Sequence, residues 1–103
     1  MTTRAYTPQD LLHILEQAVI YQCACPAQIC KSLQSAHALY AYQQQCLNAT
    51  QTDVAVHQRI AETALRLIAE LEQCLEDVLQ LEGWDMATLT MPADLQKRLL
   101  DSI

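Results

Sequence analysis

Between Asp53 and Glu82 apolar residues return at alternating steps of four and three: Ile60, Ala64, Leu67, Leu71, Cys74, Val78 and Leu81. That spacing keeps them on one side of a helix, and it predicts a long helix over 53–82. A second row, Ala61, Leu65, Ile68, Leu75 and Leu79, widens the stripe beyond what one neighbouring helix can cover. Arg59, Glu62, Arg66, Glu70, Gln73, Asp77 and Gln80 fall on the opposite side, where water solvates them. The first row is expected to be the seam, with Ile60, Leu67, Leu71 and Val78 as the candidate interface residues.

The same reading divides the rest of the chain. Thr7 is a cap for a helix over 8–22, with Pro8 at its first position and Asp10 facing the positive end of the dipole. Pro26 denies a hydrogen-bond donor to the first helix and suits the first turn of a second, over 26–48, with Ile29, Leu33, Ala36, Tyr40 and Leu47 inward. Gln43, Gln44 and Gln45 read as ordinary helix surface. Asn48 to Gln51 form a short link, and Thr52 is the expected cap of the long helix. Gly83 fits the left-handed position that ends it, with Trp84 folding back on Leu79. Pro92 opens a short last helix over 92–102. The expected architecture over 1–103 is a single all-α domain, an antiparallel bundle of three long helices and a short fourth.

Helix length adds a prediction about assembly. The long helix spans roughly 45 Å, whereas a globule of this size has a radius of gyration of about 13 Å. Its stripe runs almost from end to end, so part of it is left without cover from its own chain. A homodimer packed through the central pair of helices is the expected solution.

Composition removes several classes of function. The chain of 103 residues has one glycine, Gly83, which excludes the glycine-rich loops that cradle nucleotide phosphates. Its net charge is −6, with ten of the twelve acids from Asp53 onward and only six scattered Lys and Arg. Nucleic acid and anionic membrane surfaces are therefore not expected partners; a basic protein could meet the acidic half. No apolar run reaches the ~20 residues of a membrane span, and no export signal opens the sequence, so a cytoplasmic location is expected.

Chemistry is suggested only by the five cysteines. Cys23, Cys25 and Cys30 cluster around Pro26 at a helix start, where unpaired N–H groups and the dipole favour thiolate. They are the thiol-redox candidates. Folding the long helix back beside the second brings Cys74 to the same end. Cys23, Cys25, Cys30 and Cys74 are thus the candidate metal ligands, for zinc, copper(I) or an iron–sulfur centre. The competing reading is that cysteine packs as a small hydrophobe, which suits Cys74 in its seam and Cys46. No Ser/His/Asp or paired-carboxylate arrangement stands out, and the histidines read as solvated or half-buried. Two functions follow from the residues: a homo-oligomeric interaction or adaptor module without catalysis of its own, or a cysteine protein that binds a soft metal or cycles a disulfide.

Overall fold

A computed structural model describes residues 5–18, 25–46 and 48–92. They form three helices in contact: α1, Pro8–Ala18; α2, Cys25–Gln45; and α3, Gln51–Leu81. Among the described residues there is no strand, only an isolated bridge between Asp85 and Thr90. The expected helix over 92–102, beyond its first residue Pro92, and the last turn of the first helix, 19–22, lie outside the described residues.

Local chemistry sets the helix ends. Thr7 and Asp10 cap α1 reciprocally: the Asp10 N–H donates to Thr7 Oγ1 and the Thr7 N–H to Asp10 Oδ2, both at 3.0 Å. At α3 the cap is Thr50, not Thr52. The Asp53 N–H donates to Thr50 Oγ1 at 3.1 Å and the Thr50 N–H to Asp53 Oδ2 at 3.2 Å. A cap at Thr52 would place Ala55 in the third helical position, with no side chain to return the bond. The helix stop is as expected. Gly83 has φ +80°, its N–H donates to the Gln80 carbonyl at 3.0 Å, and the Trp84 N–H reaches the Leu79 carbonyl at 2.9 Å.

One core joins all three helices. Leu11 and Ile14 of α1, Cys30, Leu33 and Ala36 of α2, and Ile68, Leu75 and Leu79 of α3 are buried together with Tyr6, Trp84, Leu89 and Met91. The segments flanking the helices close over it. The Tyr6 N–H donates to Glu72 Oε2 at 2.8 Å, and the Met91 N–H to Gln17 Oε1 at 3.1 Å. Between Trp84 and Met91 the chain makes a loop pinned by Asp85, whose Oδ1 accepts from the N–H groups of Ala87 and Thr88.

This core serves one end of the molecule only. The extents are 59 × 31 × 18 Å and the radius of gyration is 16.9 Å, against about 13 Å for a compact chain of this length. α3 therefore does project, as its length predicts.

Candidate interaction face and the cysteines

At about 100° per residue, the buried positions of α3, Ala64, Ile68, Leu75 and Leu79, lie within one narrow arc. They come mostly from the second apolar row. The first row flanks them: Ile60, Leu71 and Val78 are half-buried, Leu67 is 42% exposed, and Cys74 and Leu81 are exposed. The inward direction is thus rotated by roughly 70° from the seam read in the sequence, and the four candidate interface residues line its margin.

Two open grooves run between α2 and α3. One, of about 480 Å³, is lined by Leu67 and Leu71 on α3 and by Lys31, Ser32, Ser35, Ala36 and Leu39 on α2. Leu39 is 40% exposed. Its lining sets three leucines and the buried Ala36 beside exposed Lys31, Ser32 and Ser35. Glu72, which accepts the Tyr6 N–H, lies on the other side of the buried arc. The segment at Tyr6 therefore meets the flank of α3 opposite to Leu67, and among the described residues the Leu67 flank stays open.

The second groove, of about 260 Å³, is polar and lies nearer the α2–α3 link. Here Gln43 is buried, contrary to its reading as surface: it follows Ala36 by seven residues, two turns on the same face. Its Nε2 donates to the Leu39 carbonyl at 3.3 Å. His57 Nδ1 pairs with Asn48 Oδ1 at 2.7 Å, tying the start of α3 to the link.

The cysteines occupy different environments. Cys25 is exposed in the first turn of α2, Cys74 is exposed on α3, and Cys46 is half-buried just beyond α2. Cys30 is fully buried in the core, and loss of water around its thiol pushes the pKa from 9.0 to about 12. At neutral pH it is a thiol with the role of a small hydrophobe. Cys74 departs from the packing expected of it, because the rotation of the buried arc carries it outward. Cys23 lies outside the described residues. Among the described residues no group of three or more His, Cys, Asp or Glu is placed to hold a metal ion, and no helix is long and apolar enough to cross a membrane.

The sequence pattern contained the groove but not its identity. Ser32, Ser35 and Ala36, at helical spacing beside Leu39, were the available signal, hidden because small polar residues read as surface. No family model, no curated protein and no solved structure matches this chain.

Proposed function

We propose that α2 and α3 form an antiparallel helical hairpin and that the protein is a homodimeric interaction module, joined to a second copy through the open flank marked by Leu39, Leu67 and Leu71. The observation that carries this reading is the largely apolar groove between α2 and α3, open among the described residues. Leucines left 40% and 42% exposed on one continuous groove amount to an apolar surface that water does not stabilise. Surface area agrees with it. The chain exposes 6880 Å², whereas a compact protein of 11.6 kDa exposes roughly 5,800 Å². That excess of about 1,000 Å² compares with the roughly 800 Å² per partner of a standard interface.

Sedimentation velocity on the whole chain tests the proposal. The expected species has twice the 11.6 kDa chain mass, and Leu67→Asp returns it to a monomer with an unchanged far-ultraviolet circular dichroism spectrum. A wild-type protein that stays monomeric as its concentration is raised overturns the reading.

A further inference from the structure

Charge along α3 fixes how the second copy sits. Arg59, Arg66, Glu70 and Asp77 are all exposed and share a narrow arc beside the Ile60, Leu67, Leu71 and Val78 row. The two basic residues lie in the first part of the helix and the two acidic residues in the later part. Their positions are symmetric. Arg66 and Glu70 each stand two residues from Ile68, and Arg59 and Asp77 each stand nine. The apolar row repeats this arrangement one residue further on: Leu67 and Leu71 each stand two residues from Ala69, and Ile60 and Val78 each stand nine.

A helix with this double symmetry is complementary to its own reverse. We infer that two copies pair α3 against α3 in opposite directions, about a two-fold axis level with Ile68 and Ala69. The arrangement rests on the dimeric reading above and specifies its register. In it, Leu67 of one copy packs beside Leu71 of the other and Ile60 beside Val78, over a seam of about 27 Å. Arg66 then faces the second copy's Glu70, and Arg59 faces the second copy's Asp77. A two-fold axis makes each pair occur twice. Parallel pairing about an axis along the helices would instead place the two strips on opposite sides of the seam, where neither meets the other's charges. Placing α3 over α2 of the second copy would face this strip with a helix whose only charged residue is Lys31.

Among the described residues the contacts of Arg59 and Asp77 are local. Arg59 Nη1 donates to Thr63 Oγ1 at 2.7 Å, one turn along, and Asp77 Oδ1 accepts from Gln73 Nε2 at 2.9 Å. Neither contact joins the basic and acidic ends of the strip, and both are exposed.

Cys74 supplies the test of direction. It is exposed, five residues beyond Ala69, and Thr63, also exposed, is five residues before Ile68. In the proposed dimer the Thr63→Cys variant sets its new thiol across the axis from Cys74 of the second copy. Within one helix the two positions are about 16 Å apart, beyond the ~7 Å Cα separation that a disulfide tolerates. The variant is equilibrated in a glutathione redox buffer and its disulfides are mapped by peptide mass spectrometry. An intermolecular link between residues 63 and 74, with no Cys74–Cys74 link in the wild type, is the expected result.

Charge reversal provides a second readout by sedimentation. Arg59→Glu with Arg66→Glu, or Glu70→Arg with Asp77→Arg, each weakens self-association at least about tenfold, and the two variants mixed recover a heterodimer. A wild-type dimer that links Cys74 to Cys74, or whose association survives both reversals, overturns the register while leaving the interaction module standing. A wild-type monomer overturns both.

Discussion

Leu67 and Leu75 differ by eight residues in the same helix, and truncating each to alanine separates the core from the open groove. Leu75 is 0% exposed among side chains from all three helices. Leu75→Ala removes buried methyl and methylene groups and leaves a cavity, a loss of about 2–5 kcal/mol. Against a total stability of roughly 5–15 kcal/mol for a domain of this size, that lowers the melting temperature by roughly 10–25 °C. Leu67 keeps 42% of its surface in water. Scaling the transfer energy of the three removed carbons, ~0.8 kcal/mol each when fully buried, by the part that is covered gives about 1.4 kcal/mol for Leu67→Ala within one chain. On the proposed dimer it also loses association, which depends on concentration. Urea unfolding followed by circular dichroism, at two concentrations about a hundredfold apart, reads both terms, because a folded dimer gains about 2.7 kcal/mol over that range. Wild type and Leu75→Ala are expected to unfold at higher urea in the concentrated sample, whereas in Leu67→Ala the difference shrinks. Equal losses for the two variants at both concentrations would refute the placement of Leu67 on the groove wall.

Thr50→Ala removes the side-chain acceptor of the α3 cap and is expected to cost about 1 kcal/mol, whereas Thr52→Ala costs only a few tenths; urea midpoints of the two variants check the assignment. Cys30 makes stability fall in alkali: its folded pKa of about 12 lies above the ordinary 9.0, so unfolded chains release a proton that folded ones keep. Its contribution is complete below pH 9 and is lost as pH rises toward 12, at up to about 1.4 kcal/mol per pH unit. The measurement is the pH dependence of the urea midpoint, which flattens in Cys30→Ala relative to wild type.

The helix ends were legible because each rests on chemistry within a few residues: Thr7 with Asp10, Pro26 at the start of α2, Gly83 beside Trp84. Thr50 was missed for a related reason, since Thr50 and Thr52 both precede the apolar pattern and only the carboxylate of Asp53, three residues after Thr50, separates them. The loop from Asp85 to Thr90 and the bond from Met91 to Gln17 were not legible. Both join positions whose proximity depends on how the helices pack, and Gln17 carries no sign that its amide meets a backbone 74 residues away.

The direction in which α3 faces its own core belongs to that second kind. Periodicity gives the width of an apolar arc and not the order in which neighbours cover it. On α3 the two rows together span more than one helix can hide, and either row, read alone, is a good seam. Tertiary packing decided between them: Tyr6 takes Glu72, and the core shared with α1, α2 and the loop after Trp84 takes Ile68, Leu75 and Leu79. Ile60, Leu67, Leu71 and Val78 are left at the margin, still at regular spacing and joined by a strip of charges with the same symmetry. An apolar row whose regularity exceeds what its own core uses is under a second constraint. The row that sequence periodicity ranks first is therefore the one left at the margin of the core, and the proposed reversed pairing of α3 would account for both its spacing and the order of its charges.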